Sequence, residues 1–360
     1  MRVIIINTHP EDYLGGSQIQ CDLFASFLKK KRHEVLYLAL RGIKTSYDAD
    51  YQVTPVQLNS TDVYTACKSF SPDIVYWRFN KKVFLSCMKE LNKLNCPLIF
   101  GVSHINDLKR WGYKSSATNS SIKGKINDFR KLANSAWNHF GFRYIDGLTV
   151  NNSDFLNMVK ISHHIYIPNS MPVKHKTFEW PKPYCVWVAN IKPTKRPEQY
   201  LQLARSLEPT NIDFLMVGEI QNKNYKFIAN GVELPSNLYY LGPKPLEEVN
   251  GILKKSMFLV HTCEPEGFPN IIIQAWLQGK PVVSLNFDPN GYLESENIGY
   301  YSRNMNQFIE DVSNLIKNNA EREALGKKAQ NFAHKKFSIE RNGKFLEEFF
   351  LKTIEQTKNR

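Results

Sequence analysis

The sequence has 360 residues, which is enough for two domains of ordinary size, each with its own hydrophobic core. With 42% apolar and 22% charged residues it has the composition of a soluble globular protein, and no apolar run approaches the roughly 18 residues of a membrane-spanning helix. The formal net charge is +13, and +10 of it lies in residues 1–175, so most of the positive field belongs to the first half.

The N-terminus and the cysteines narrow the class of protein further. The apolar run at residues 3–6 is too short for a secretory signal and predicts a first β-strand. The six cysteines include no Cys-x-x-Cys pair and no cluster with histidine at the spacing of metal ligands. We therefore expect buried, reduced thiols, a cytoplasmic protein and no metal site.

The first half of the chain alternates predicted strands and helices. The helix after the first strand has its apolar positions Ile19, Phe24 and Phe27 on one face. Buried strands are predicted at residues 1–7, 35–40, 73–77, 97–102 and 146–150. This alternation predicts an α/β domain over residues 1–170, built on a parallel, doubly wound sheet.

Three residues near predicted strand ends are candidates for a binding site. Gly15 and Gly16 precede the first helix, where glycine lets the backbone approach a ligand at the carboxyl edge of a parallel sheet. His104 follows the strand at 97–102, and both a structural role and a site role remain open for it.

Residues 109–131 are polar and strongly basic. They carry seven lysines and arginines interleaved with Trp111 and Tyr113. One interpretation is a solvated insertion. The other is a surface that attaches to an anionic membrane or captures a lipid-pyrophosphate acceptor, for which cations beside amphipathic aromatics are suited.

The second half predicts another α/β domain after a linker. Residues 171–183 are rich in proline and charge without periodicity, which is typical of a linker. The second domain is predicted over residues 184–338, and residues 339–360 form a last helix. Its strands are predicted at residues 184–190, 213–218, 238–243, 257–261 and 281–285.

Four further candidates lie where strands of the second domain end. Lys195 and Arg196 occupy the turn after the first strand. In most proteins two cations in such a turn are exposed surface residues with no binding role. Gly218 and Gly242 end the next two strands, where a flat nucleobase can stack against the backbone.

The most informative segment lies between the last two of these strands and predicts a helix. Pro269 suits its first position, and Gly279 suits the residue past its last turn. Such a helix start attracts phosphate through its free N–H groups and its dipole. Asn270, Gln274 and Gln278 form one polar stripe on the helix, interpreted either as a solvated face or as a ligand-binding face.

The segment from 266 to 283 resembles the donor-site signature of the retaining family 4 glycosyltransferases of GT-B fold, also called glycosyl transferases group 1. It reads Glu266-Gly-Phe-Pro-Asn, then Gln274-Ala-Trp and Gly279-Lys-Pro-Val-Val. The family usually shows two glutamates with seven residues between them, and this chain has glutamine at the second position. The resemblance covers most of 184–350 strongly and 1–170 loosely.

The resemblance implies two Rossmann-like domains that face each other across a cleft, the first for the acceptor and the second for the nucleotide-sugar donor. It also implies that the last helix crosses back to the first domain. Transfer would retain the anomeric configuration and would use no metal or other cofactor. The expected donor is a UDP-sugar, and the expected acceptor is a lipid-linked or growing saccharide.

The resemblance also assigns roles to the candidate residues. Glu266 would contact the hydroxyls of the donor sugar, Gln274 the ribose, and Lys195 with Arg196 the diphosphate. His104 would face the transferred sugar, while the family's usual arginine is Asn190 here. The other expected donor-binding residues are Gly15, Gly16, Gly218, Gly242, Gly267, Phe268, Pro269 and Asn270.

The implied role is the synthesis of cell-surface polysaccharide such as lipopolysaccharide, in the cytoplasm or at the inner face of the plasma membrane. A GT-B epimerase or hydrolase, and a catalytically lapsed homologue with Gln274 and Asn190, remain alternatives. A basic nucleic-acid-binding protein is another, although no helix-turn-helix, zinc-finger or RNA-binding signature is present. The interpretation as an enzyme of GT-A fold, the other large glycosyltransferase fold, is supported only by the Asp-x-Asp pattern of Asp48 and Asp50, which binds metal in that fold. No apolar strand precedes this pattern to hold the carboxylates in place.

Overall fold

The computed structural model describes residues 1–13, 15–111, 122–231, 234–265 and 268–359, without the side chains of 122–124. The chain forms two compact units. Unit 1 consists of Met1–Ser170 and Ile339–Arg360, and unit 2 consists of Met171–Ser338.

Unit 1 is built on a seven-stranded parallel sheet. Its strands are β1 (Arg2–Asn7), β2 (Glu34–Leu40), β3 (Gln52–Val56), β4 (Ile74–Trp77), β5 (Leu98–Val102), β6 (Gly147–Val150) and β7 (His164–Tyr166). Its first helices are α1 (Gly16–Lys30), α2 (Ser60–Phe70), α3 (Phe84–Leu91), α4 (Ile105–Leu108) and α5 (Ile122–Asn138). The strand order β3-β2-β1-β4-β5-β6-β7 reverses direction between β1 and β4, as in doubly wound folds.

The residues of β1 show why this sheet is covered on both faces. Val3 and Ile5 belong to one hydrophobic core, whereas Ile4 and Ile6 belong to another. Successive side chains of a strand point to opposite faces, so a continuous run of β-branched residues serves two cores at once.

Unit 2 has a six-stranded parallel sheet in the order β10-β9-β8-β11-β12-β13. Its strands are β8 (Tyr184–Val188), β9 (Asp213–Val217), β10 (Leu238–Tyr240), β11 (Leu259–His261), β12 (Val282–Ser284) and β13 (Gly299–Tyr301). Its helices are α6 (Pro197–Ser206), α7 (Leu246–Lys255), α8 (Asn270–Leu277), α9 (Tyr292–Ser295), α10 (Met305–Lys317) and α11 (Asn319–Phe337). The two parallel sheets confirm the predicted α/β class.

Residues 171–183, predicted as a linker, contain no helix or strand and lie against α7 within unit 2. The side chain of Asn250 donates hydrogen bonds to the carbonyl oxygens of Pro172 and Lys174 at 3.0 and 2.8 Å. A Cβ at Gly251 would lie 2.0 Å from the carbonyl oxygen of Lys176, so glycine allows this close approach. Polar contacts therefore hold the segment.

The last helix, α12 (Ile339–Lys358), completes unit 1. Leu346, Phe349 and Phe350 join the core that contains Val3. Asn342 donates to the carbonyl oxygen of Pro168 at 3.2 Å and to the hydroxyl of Ser170 at 3.0 Å, which ties α12 to the end of the unit's first segment. None of the helices that the structure describes is long and apolar enough to cross a membrane.

The sheet edges of both units contain strands that the sequence does not predict. β3 carries Pro55, and β7 and β13 have only three residues each. All three pair on one side only, where proline and polar residues are tolerated and the hydrophobic signal is weak. All six cysteines are free, and Cys96 is half-buried while the others are buried.

Replacement of Gly218 by alanine should destabilise unit 2 strongly. Gly218 has φ +144°, and a Cβ there would lie 1.9 Å from the carbonyl oxygen of Ala189 at the end of β8. Backbone strain and overpacking together should cost about 3 kcal/mol. Gly291→Ala is the control, because Gly291 also has positive φ but nothing within 4 Å, and we expect a loss of about 1 kcal/mol. Equal losses in urea unfolding would contradict the assignment of the cost to close backbone approach.

Candidate functional site

The candidate site lies at the carboxyl edge of the sheet of unit 2, where loops leave β8, β9 and β10. The amide of Gly218 donates to the carbonyl oxygen of Gly242 at 3.0 Å, so these two predicted residues lie together. Both have positive φ, +144° and +70°, which glycine adopts without strain. Tyr240 donates its hydroxyl to the carbonyl oxygen of Gly218 at 2.8 Å, and burial raises the pKa of Tyr240 and keeps it a donor.

The loop that carries Lys195 and Arg196 is held by one threonine. The hydroxyl of Thr262, after β11, lies 2.9 Å from the carbonyl oxygen of Lys195 and 3.1 Å from that of Arg196. The hydroxyl oxygen of Thr262 also accepts a hydrogen bond from the indole of Trp187 at 2.8 Å. The backbone beneath the two cations is therefore fixed, and Arg196 keeps φ +50° just before Pro197 begins α6.

Arg196 forms an ion pair that sequence reasoning missed. Its guanidinium lies 2.6 Å from the carboxylate of Glu264, and both side chains are about half exposed. The amide of Glu264 also donates to the carbonyl oxygen of Thr194 at 3.0 Å. An ion pair in this exposed position contributes about 0–1 kcal/mol, so a bound anion can replace the carboxylate at small cost. No local sequence signal joins residues this far apart in the chain.

The predicted helix is α8, and it begins one residue later than expected. Pro269 immediately precedes it with ψ 115°, and Asn270 is its first residue. Gly279 has φ +73°, as predicted for the position past its last turn. The buried ring of Phe268 packs against Trp276 and Phe337 at centroid distances of 6.2 and 5.2 Å. Phe268 therefore offers only its backbone to a ligand.

The polar stripe of α8 divides into two kinds of residue. Gln278 is buried and donates to the carbonyl oxygen of Val173 at 2.9 Å. Gln274 is 6% exposed, and its Oε1 has no hydrogen-bond partner among the described residues. Interpretation of these two glutamines as a solvated face is therefore wrong. An unpaired buried acceptor costs about 1–3 kcal/mol, so a ligand hydroxyl that donates to Gln274 would be favoured.

Some predicted site residues lie elsewhere. Glu266 and Gly267 lie outside the described residues. Gly15 and Gly16 are in unit 1, where Gly15 precedes α1 in an extended conformation that any residue can adopt and Gly16 is the first residue of α1. Gly15 is therefore not required by backbone conformation.

His104, also in unit 1, caps α4. Its Nδ1 accepts a hydrogen bond from the amide of Asn106 at 3.0 Å, and the carboxylate of Asp107 accepts from the amide of His104 at 2.9 Å. Because Nδ1 is an acceptor, the proton of the neutral ring lies on Nε2. This reciprocal capping is a structural role for His104.

The Asp-x-Asp pattern lies between β2 and β3, and one of its two carboxylates is hydrogen-bonded within the protein. The carboxylate of Asp50 accepts from the hydroxyl of Ser26 at 2.8 Å, and the amide of Asp48 donates to Glu11 at 2.8 Å. In the part of the chain that the structure describes, no three His, Cys, Asp or Glu side chains form a group that could hold a metal ion.

Comparisons with known proteins follow the division into units. Residues 173–332 match the family model described as glycosyl transferases group 1. No curated protein matches the sequence.

Several solved structures that are similar in fold match almost the whole chain. Sucrose-phosphate synthase from Thermosynechococcus elongatus is 11% identical with a TM-score of 0.75 over 98% of each chain. Anabaena Alr3699/HepE in complex with UDP-glucose is 13% identical with a TM-score of 0.73 over 97% of this chain and 98% of its own. WaaG, a glycosyltransferase involved in lipopolysaccharide biosynthesis, is 14% identical with a TM-score of 0.66 over 95% and 99%.

The two glutamines of α8 should respond differently to replacement by leucine. Gln274→Leu removes an unpaired buried acceptor, so the free energy of unfolding should stay unchanged or rise by up to about 1 kcal/mol. Gln278→Leu breaks the bond to Val173 and should cost about 1–2 kcal/mol. Urea unfolding measures both. A loss in Gln274→Leu as large as that in Gln278→Leu would show that Gln274 is satisfied within the protein.

Proposed function

We propose that this chain, which has the GT-B fold and carries a glycosyl transferases group 1 domain at residues 173–332, transfers a sugar from a nucleotide diphosphate to a saccharide hydroxyl. The observation that carries the proposal is the unpaired, buried Oε1 of Gln274 on α8. It is a hydrogen-bond acceptor in place for a ribose hydroxyl, on the helix whose start attracts the phosphates attached to that ribose.

The diphosphate would lie between the start of α8 and the loop of Lys195 and Arg196. The first turn of α8 supplies backbone N–H groups and a partial positive charge, and the loop supplies two cations on a backbone that Thr262 fixes. Arg196 would exchange Glu264 for a phosphate oxygen, which accepts charge-assisted hydrogen bonds of the same kind.

We take uracil as the nucleobase, because the similar HepE structure is described as a complex with UDP-glucose. Gly218 and Gly242, which follow β9 and β10, would offer backbone on which a base can stack. Tyr240 stiffens that backbone through its bond to Gly218.

In the proposed reaction the bond between the anomeric carbon and the diphosphate oxygen breaks. The acceptor oxygen then bonds to the same face of that carbon, which is retention, and its proton passes to the departing diphosphate. Lys195, Arg196 and the start of α8 would stabilise the charge that develops on the leaving group. Glu266 would hold the sugar hydroxyls. The anomeric coupling constant of the product in an NMR spectrum tests retention.

A donor panel tests the proposal without an acceptor. UDP-sugars, but not GDP-, ADP- or dTDP-sugars, should raise the melting temperature in the presence of EDTA, because a ligand that binds only the folded state stabilises it. We expect three variants, Lys195→Ala, Gln274→Leu and Glu266→Ala, each to raise the dissociation constant of the UDP-sugar about tenfold or more. Lys226→Ala, an exposed cation of the same unit, is the control and should leave it unchanged. No shift with any nucleotide would contradict the proposal and favour a lapsed homologue.

We also propose that the acceptor is membrane-bound and that the basic segment touches an anionic bilayer. Residues 112–121 of that segment lie outside the described residues, but its described part exposes Trp111 and Phe129, the latter by 70%. Trp137 at the end of α5 is 66% exposed, and Lys125 and Arg130 are exposed on the same helix. Peripheral membrane proteins use such surfaces, in which aromatic rings insert among the lipid headgroups and the surrounding cations attract anionic lipids.

Flotation with vesicles tests the membrane surface. The wild-type protein should float with anionic vesicles at low salt and detach as salt screens the cations. The double variant Phe129→Ala and Trp137→Ala should remain in solution, because it loses the apolar anchors. Leu351→Ala, 50% exposed on α12, is the control and should float like the wild type. A wild-type protein that stays in solution at low salt would rule out membrane attachment.

A further inference from the structure

Arg78 is a buried cation at the carboxyl edge of the sheet of unit 1. It follows β4 directly and is 4% exposed. Its Nε donates to the hydroxyl oxygen of Ser103 at 3.3 Å, and its Nη2 donates to Oδ1 of Asn169 at 3.0 Å. Both acceptors are neutral, and Arg78 forms no ion pair with any carboxylate that the structure describes.

The surrounding residues shape the position of this side chain. A Cβ at Gly101, on the neighbouring strand β5, would lie 3.0 Å from Cγ of Arg78. On another side, the ring of Phe24 lies 5.9 Å from Cζ of Arg78. The guanidinium is therefore held by packing as well as by its hydrogen bonds.

A second buried cation lies on the same loop. Lys81 is also buried, and its ammonium donates to the carbonyl oxygen of Lys109 at 2.7 Å. Burial lowers the pKa of Lys81 to about 8, against the opposing attraction of Asp107. Burial of a charge is costly unless an opposite charge compensates it. The loop after β4 therefore holds two buried cations, and of the two Arg78 has only neutral acceptors.

A residue with an unpaired acceptor shares a hydrogen-bond partner with Arg78. Asn151, the residue after β6, is 5% exposed, and its Oδ1 has no hydrogen-bond partner among the described residues. Its Nδ2 lies 3.5 Å from Oδ1 of Asn169, the same oxygen that accepts from Arg78. An uncompensated cation and an unpaired acceptor thus share one neighbour at the edge of the sheet where doubly wound folds bind ligands.

We propose that Arg78 and Asn151 bind a phosphate ester on the acceptor, with Arg78 donating to an anionic oxygen and Oδ1 of Asn151 accepting from a hydroxyl next to it. The assignment to the acceptor rests on the proposed function; the assignment of an anion site to unit 1 does not. A sugar phosphate and the headgroup of a phospholipid both supply this chemistry.

The substitution Asn151→Asp separates a binding role from a structural one. It keeps the size of the side chain and adds a carboxylate beside Arg78, so the protein supplies its own counter-charge. The counter-charge offsets the lost hydrogen bond from Nδ2 to Asn169, so the melting temperature without ligand should not fall, and the affinity for glucose 1-phosphate should fall about tenfold or more. Lys82→Gln removes an exposed cation of the same loop and should change the affinity less than about twofold. Arg78→Lys, which keeps the charge but loses the planar fork, should also weaken binding.

Calorimetric titrations with glucose 1-phosphate and with glucose, at matched ionic strength and with excess UDP to occupy unit 2, measure these affinities. Flotation with phosphatidic acid and phosphatidylcholine vesicles, with and without Arg78→Lys in the Phe129→Ala and Trp137→Ala background, decides whether a lipid headgroup is also bound through Arg78. Glucose 1-phosphate should bind, and glucose should not. Equal binding of both sugars, or wild-type affinity in Asn151→Asp and Arg78→Lys, would overturn the proposal. The proposed function fails separately, through the absence of a response to UDP in the same samples.

Discussion

The candidate donor site depends on the hydrogen bonds that the hydroxyl of Thr262 forms. The hydroxyl oxygen accepts a hydrogen bond from Trp187 in β8 and lies within hydrogen-bond distance of the carbonyl oxygens of Lys195 and Arg196, so one side chain joins two strand ends. These groups are buried or partly buried, where a hydrogen bond is electrostatically stronger than in water and an unmade one is costly. The cations can therefore point into a ligand site while the backbone that carries them stays in one conformation.

The two units apply the same topological plan to different tasks. In each sheet the strand order reverses beside the first strand of the unit. The reversal lies between β1 and β4 in unit 1 and between β8 and β11 in unit 2. Each reversal places polar residues near a carboxyl edge. Unit 2 leaves the acceptor Gln274 unmatched on α8, whereas unit 1 leaves the acceptor Asn151 unmatched where it shares a neighbour, Asn169, with the buried cation Arg78. The first pattern is the basis of the proposed diphosphate and ribose site, and the second is the basis of the proposed anion site.

The sequence predicts the fold where local patterns carry it. The apolar run of β1, the alternation of strands and helices, and Gly279 after α8 are all local signals, and each is found in the structure. The edge strands β3, β7 and β13 were missed because one-sided pairing tolerates polar and short segments. The ion pair of Arg196 with Glu264, and the neighbours of Arg78, depend on contacts between residues distant in the chain. No periodicity records such contacts, and burial of a polar residue at a strand end has no local signature.

Because α12 belongs to unit 1, unit 2 can be completed during synthesis before unit 1. Residues 171–338 form a unit whose core is complete before α12 is made. The core that contains Val3 lacks Leu346, Phe349 and Phe350 until the ribosome has passed them, although β1 is among the first segments to emerge. Apolar surface on unit 1 therefore stays uncovered while nearly half of the chain is translated, which is the condition under which nascent chains recruit chaperones or aggregate. Truncation within α12 would prolong that condition indefinitely.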